Sequence, residues 1–358
     1  MGPPGSGKTK LLLLRAKYMN LAGHPNIMVI VYTRTLREFI VAGGHEYGFP
    51  SSKVQTCRRW QQDFLRSYGV RIDPPDDFEG QRTYFSEQIA AIIKKNKLSR
   101  VHDAILLDEG QDYLPEEILI FKKLSRVLFA TAHSRQKIYN VTDCLDTLKD
   151  TVDEVHLLRS HYRIGATICK IADALAKDSE DFEPLAPASR YDEKARPSSV
   201  EHAKCTGIDD EATKIIARLE TQLKAYPDDL LGVVCPTNDS VSRVWEAISN
   251  SSLAASAVLQ TAEEHAAFDP DKHICVSTLH GAKGLEVRAM HMAGCEFLKR
   301  FPHQRNMAYT AVTRAKTSLS LYYSDDIPGY LEQALMSIQA SPDLPKIKQL
   351  FGGKSGKK

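Results

Sequence analysis

The sequence predicts an α/β fold built on two doubly wound, mainly parallel sheets, and three observations carry that expectation. Short apolar runs alternate with longer amphipathic stretches along most of the chain, as strands joined by crossover helices do. The chain opens on "GPPGSGKT", a glycine-rich loop that runs directly into a helical stretch. The apolar run "AILLD" ends on adjacent carboxylates, Asp108 and Glu109, as a buried strand delivering acids to a cleft would.

Taken in order, the first half offers strands at 27–33 ("IMVIVYT"), 104–108 ("AILLD") and 127–131 ("VLFAT"). The second half offers 230–235, 274–278, 288–294 and 319–324. Residues 73–80 and 178–199 are polar and proline-bearing, and read as loops or linkers. A division near residue 155 gives a first domain over 1–155 and a second over 156–340, followed by a basic tail over 341–358. In such folds a ligand sits beyond the carboxyl ends of the strands, and here also in the cleft between the two domains.

Composition narrows the class. The 358 residues are 42% apolar and 26% charged, which suits a soluble chain long enough for two cores. Net charge is only +2, so any polyanion site must come from local clustering. The 7 cysteines (Cys57, Cys144, Cys169, Cys205, Cys235, Cys275 and Cys295) are scattered without metal-ligand spacing, and read as buried, reduced thiols. No apolar run reaches the roughly 20 residues that span a bilayer, and no signal pattern opens the chain. The expectation is a cytoplasmic protein with no membrane segment.

The opening loop meets the spacing G-x-x-x-x-G-K-[ST] through Gly2, Gly7, Lys8 and Thr9, with Pro3, Pro4, Gly5 and Ser6 between. Its glycines let successive backbone N–H groups curl around phosphate oxygens, and the next helix points its positive end at the same anion. Lys8 is placed to reach the β- and γ-phosphates, and the Thr9 hydroxyl to ligate Mg²⁺. Asp108 is the second candidate Mg²⁺ ligand. Glu109 is the candidate for orienting and deprotonating an attacking water.

Several further boxes follow in order. "DEGQD" (108–112) resembles the acid box of superfamily 1 helicases of the UvrD/Rep type. "QKIY" (136–139), "LRSHYR" (158–163), "STLHGAKGLE" (277–286) and "AYTAVTRAK" (308–316) are similar to later boxes of the same family. The resemblance implies two RecA-like P-loop NTPase domains with mainly parallel sheets and the ATP site in the interdomain cleft. It implies an ATP-dependent DNA helicase or translocase moving 3′ to 5′ on single-stranded DNA, with ATP and Mg²⁺.

Residue by residue, the resemblance makes Arg163 and Arg314 arginine fingers and Gln136 a γ-phosphate sensor. Tyr162 becomes the platform under the adenine, and Glu286 a ribose contact beside Gly284, where the backbone comes close. Gln111 bridges nucleotide and closing domain. For single-stranded DNA it points to Thr33, Arg34, Thr56, Trp60, Thr278 and His280, a basic groove with a stacking platform. Trp60 reads equally as core.

The sequence also departs from the pattern. Ala132 and His133 replace a Gly-Asp pair, no Trp follows Tyr139, and Cys57 and Arg58 stand where the family has Phe and His. The spans from Leu36 to Asp108 and from Arg163 to Thr278 leave little room for inserted subdomains. Two other readings follow: a nucleotide-dependent regulatory module that switches a protein partner, and a truncated fragment. Only Met1 precedes the loop, whereas a buried central strand normally enters it. The expectation is that the working protein begins upstream, since losing such a strand would leave unpaired edges or make the neighbouring strands close over the gap.

Overall fold

The structure is a computed structural model that describes residues 1–43, 49–133, 144–177, 183–260, 271–282, 284–300 and 304–338. The "QKIY" box, with Gln136, and the basic tail lie outside the described residues. The first half runs α1 (Lys8–Leu21), β1 (Ile27–Val31), α2 (Arg34–Gly43), β2 (Val54–Thr56), α3 (Cys57–Ser67) and α4 (Phe78–Asn96). It continues with β3 (His102–Leu107), α5 (Pro115–Leu124), β4 (Ser125–Ala130) and α6 (Cys144–Thr151).

The second half runs α7 (Ala166–Ala176), β5 (Ser199–Lys204), α8 (Ile208–Ala225), β6 (Leu231–Cys235), α9 (Asn238–Ser249) and β7 (Ala257–Gln260). Then come β8 (Ile274–Thr278), β9 (Val287–Met292), α10 (Gln304–Val312), β10 (Ala315–Tyr323) and α11 (Gly329–Met336). Among the described residues one sheet has the order β2-β1-β3-β4 and the other β5-β10-β9-β6-β8-β7. Every pairing in both is parallel. The α/β fold class with parallel sheets therefore holds.

Alternation along the strands explains the layering. On β1 and β3, Ile30, Ile105 and Leu107 pack into one core with α3, α4 and α5, while Val29, Ala104 and Leu106 face the opposite core with α1 and α2. The second sheet is covered likewise. Val233, Cys235 and Val276 meet α8 and α9, and Val234, Cys275 and Met290 meet α7, α10 and α11. Strands buried on both faces read as continuous apolar runs, which is why β3, β6 and β8 were visible in the sequence. Helix starts are chemically marked: Thr56 accepts from Arg59 N to cap α3, and Asp77 from Gly80 N to cap α4.

Two expectations change. The sheet shows no gap, because β1, β3 and β4 pair directly in register, Ile30 with Leu107 and Leu107 with Ala130. The opening loop hangs instead beyond β4, where Gly2 N donates to Ala132 O at 3.3 Å. Strands β2, β5 and β7 were not anticipated, and β5 lies at the end of a segment read as linker. All 7 cysteines are free and buried, as their apolar settings suggest. Among the described residues no helix is long and apolar enough to cross a membrane.

Candidate active site

The opening loop takes its shape from left-handed glycines. Gly5 has φ of 74° and Gly7, which precedes α1, has φ of 85°. A side chain on Gly5 would also meet Arg163, because an added Cβ would lie 2.9 Å from that residue's Cβ. Residues from beyond the first sheet close over the loop: Leu158 N donates to Met1 O at 2.8 Å and Tyr162 N to Gly5 O at 3.2 Å. The loop thus sits between the first sheet and the segment carrying Arg163.

Lys8 is buried and folds back over its own loop, donating to Gly2 O at 2.9 Å and Pro3 O at 3.0 Å. Burial lowers its ammonium to about 8, against the pull of Glu109 and Asp108. Thr9 Oγ1 donates to Asp108 Oδ2 at 2.9 Å. Asp108 also accepts from the Thr131 hydroxyl and from Glu109 N at 3.1 Å. Burial, then the neighbouring Glu109 charge, pushes the Asp108 carboxyl above its ordinary range. That is the response of an acid waiting for a cation.

Glu109 holds an unusual backbone for a non-glycine residue, with φ of 52°. The turn lifts its side chain out of the strand, where Oε2 accepts from Gln111 Nε2 at 2.7 Å. Gln111 in turn accepts His133 N at 2.8 Å, so the end of the acid box is tied to the turn beyond β4. Arg314 Nη2 lies 3.9 Å from Glu109 Oε1, and among the described residues this buried nitrogen has no hydrogen-bond partner. Burial lowers the Arg314 guanidinium from its ordinary value.

Arg163 is paired with Glu286 and donates to Thr313 O at 2.9 Å. Burial works to raise the Glu286 carboxyl, but Arg163 first, then Lys316 and Arg314, hold it below its ordinary value. Gly284, with φ of 86°, packs on Leu36 of α2. The close approach there is therefore made to α2. Tyr162 is 66% exposed and stands at the mouth.

These groups line one cavity of about 520 Å³ holding Gly5, Lys8, Thr9, Glu109, Tyr162, Arg163, Gly284, Glu286 and Arg314. Lys316, Tyr191 and Arg196 also line it, and the sequence reading gave them no role. Lys316 stood within a quoted box, but Tyr191 and Arg196 belong to the segment read as linker, where nothing marked them. Thr131, the other missed partner, closes the strand "VLFAT" that the sequence did show.

The nucleic-acid candidates are placed less uniformly. Thr33, Arg34 and Thr56 follow the carboxyl ends of the adjacent strands β1 and β2, paired through Val31 and Thr56. Thr33 and Thr56 both spend a hydroxyl lone pair on helix starts, accepting Leu36 N at 3.2 Å and Arg59 N at 3.3 Å. Thr278 ends β8 and accepts Gly281 N at 3.0 Å, while His280 is exposed beside it. Trp60 is a correction. It is 5% exposed, with its ring 4.9 Å from Phe121 and 5.4 Å from Phe64. An indole held between core rings is not a stacking platform for bases.

Residues 273–322 match the model of the UvrD-like helicase C-terminal domain. The chain is similar to UvrD/Rep-type superfamily 1 helicases. The matched segment contains Glu286 and Arg314 and runs from β8 to β10. Among solved structures, the C-terminal domain of a DNA helicase (titled as a possible one) from Lactobacillus plantarum WCFS1 is similar at 15% identity and a TM-score of 0.35. That likeness covers 49% of this chain and 96% of the other. The PRRSV helicase is similar at 14% identity over 91% of this chain, with a TM-score of 0.43. The Arterivirus nonstructural protein 10 helicase has the same identity and TM-score over 93%. The chain spans 54% and 60% of the lengths of those two viral helicases. No curated protein matches it.

Proposed function

We propose that this chain is an ATP-hydrolysing motor module of the UvrD/Rep type, driven by single-stranded DNA and moving 3′ to 5′ along it. The observation that carries the reading is the convergence on one cavity of Lys8, Thr9 and Glu109 from the first half, with Asp108 bonded behind Thr9, and of Arg163, Glu286 and Arg314 from the second. Phosphoryl transfer asks for positioning and for positive charge about the γ-phosphate, supplied from both sides of a closing cleft. The proposed domains are 1–155 and 156–340.

Thr9 and Asp108 would hold Mg²⁺. One carboxylate and one hydroxyl fit a cation that keeps several waters and takes the rest of its ligands from phosphates, and the raised Asp108 carboxyl fits too. The metal supplies charge neutralisation on the phosphate oxygens. Lys8, released from Gly2 O and Pro3 O, turns its ammonium to the β- and γ-phosphates. Glu109 orients the attacking water and takes its proton. Arg314, already directed at Glu109, and Arg163, exchanged from Glu286, meet the charge that develops on the leaving oxygens. Tyr162 offers a face to the adenine. Strand phosphates are taken by Arg34 and by the hydroxyls of Thr33, Thr56 and Thr278, with His280 beside them.

The test is steady-state ATP hydrolysis with and without a single-stranded oligonucleotide. Stimulation of at least tenfold, abolished by Glu109→Gln, supports the motor. Hydrolysis indifferent to the oligonucleotide supports the regulatory module instead, a reading favoured by Ala132 and His133 standing where Gly and Asp are expected. Failure to bind ATP at all overturns both.

A further inference from the structure

Behind the acid box lies a buried polar node that the chemistry above does not use. Glu117 on α5, Arg82 on α4 and Gln61 on α3 are each less than 5% exposed. Glu117 Oε2 accepts from Arg82 Nη2 at 2.6 Å and from Leu114 N, at the start of its own helix, at 2.8 Å. Its other oxygen accepts from Gln61 Nε2 at 2.9 Å and faces Cys57 Sγ at 3.8 Å. Arg82 Nη2 also donates to the carbonyl of Asp112, the last residue of the box, at 2.8 Å. One carboxylate therefore gathers α3, α4 and α5, and through Arg82 it reaches the turn that carries Glu109.

The node also borders the segments proposed to meet the strand. Gln61 and Cys57 belong to the helix capped by Thr56. The Arg82 guanidinium lies 5.5 Å from the Tyr32 ring, one residue before Thr33. Tyr32 sets its edge against Tyr113 at 5.9 Å, and the Tyr113 hydroxyl donates to Ile30 O at 3.1 Å. A buried ion pair is a weak way to gain stability, because desolvation offsets most of the attraction. Its strength is geometric: although Arg82 Nε has no hydrogen bond among the described residues, one carboxylate shared by several donors fixes its partners in one arrangement and couples their movements.

We infer that Gln61 and Glu117 are positioning residues that tie the strand-binding end of α3 to the acid box, so that a strand on α3 resets Glu109. This rests on the proposed motor reading. Gln61 is the informative position, since Gln61→Leu removes the strong arm from α3, leaving only the long Cys57 contact, and keeps the Arg82–Glu117 pair whole.

The experiment uses the full chain and a thymidine oligonucleotide, comparing basal and stimulated hydrolysis in the wild type and Gln61→Leu. The expected result is an unchanged basal rate, an unchanged KM for ATP and a Tm near the wild type, with stimulation reduced at least tenfold. Full stimulation in Gln61→Leu, or an equal fall in basal and stimulated rates, overturns the inference. A second readout needs no oligonucleotide. Trp60 sits beside Gln61 on α3, and Trp245→Phe leaves it the single tryptophan. ATP should change Trp60 emission in that background and fail to do so once Gln61→Leu is added. No change in the background, or the same change in both, overturns the tie. A wild type that hydrolyses ATP without stimulation refutes the motor reading, and the Trp60 signal then decides the tie by itself. Glu117→Gln serves as the contrast, because it strands the Arg82 charge and should lower Tm as well as uncouple.

Discussion

On the loop side of the cleft Lys8 bonds to its own loop and Thr9 to Asp108, whereas on the opposite side Arg314 keeps a buried nitrogen without a hydrogen bond among the described residues and Arg163 is held by Glu286. The first face is hydrogen-bonded when empty, although burial disfavours the charge of both Lys8 and Asp108. The second holds positive charge that burial disfavours and that Glu109 and Glu286 offset in part, so an arriving anion adds to that compensation. Such a pair of faces lets ligand charge, arriving between them, draw the halves together. The contrast also explains why the acid-box side was easier to read: its partners are close in sequence or follow strand ends, while the arginine side depends on a long-range approach.

The strongest way to break this comparison is to remove the unsatisfied cation. Arg314→Ala should lower kcat by about 10³-fold or more, as loss of an arginine finger does, with the affinity for a non-hydrolysable ATP analogue changing far less. A matching loss of affinity would make Arg314 a ground-state contact. Next in size, Glu109→Gln should cost about 10²- to 10⁴-fold in single-turnover hydrolysis while a fluorescent ATP analogue still binds. A variant that hydrolyses at the wild-type rate would show that another group handles the water.

Lys8 tests the opposite face. Its ammonium loses its proton at about 8 when the site is empty, against an ordinary 10.5. ATP affinity should therefore fall between pH 7 and pH 9, and binding above pH 8 should take up a proton, measurable by calorimetry in two buffers of different ionisation enthalpy. Between those two pKa values the unfolded chain holds the proton that the folded chain lacks. Lys8 therefore contributes rising stability with pH across that window. Lys8→Met should abolish ATP binding yet raise the Tm of the empty protein at pH 7. The smallest effect is expected at Trp60. Trp60→Phe should cost about 1–2 kcal/mol of stability and leave oligonucleotide affinity unchanged, because the ring belongs to the core between Phe64 and Phe121.

Legibility followed burial except at β4, which is terminal and half-buried yet keeps the apolar run "VLFAT". The strands β1, β3, β6 and β8 lie inside their sheets and show as apolar runs, as does β9 with Arg288 and His291 interrupting it. The strands β2, β5 and β7 are terminal in their sheets' orders, and β5 reads "SVEHAK", half polar because one edge and part of each face meet water. The site divides in the same way. The loop over residues 2–9 and the acids after β3 are local devices whose spacing carries their geometry. Tyr191, Arg196 and the Gln61–Arg82–Glu117 node are distant, polar positions on what look like ordinary loops and helix faces. No periodicity separates a buried glutamine from a solvated one.

By itself the sequence determined the parallel α/β architecture, the glycine turns of the opening loop and the acids at the end of β3, because each depends on residues within a few positions of one another. The tertiary structure alone decided that the loop hangs from the β4 side, that Trp60 is core, that Arg163 rests on Glu286 and that Arg314 faces Glu109. Those outcomes depend on which surfaces meet when distant stretches of the chain pack. A meeting of surfaces far apart in the chain leaves no mark on local spacing.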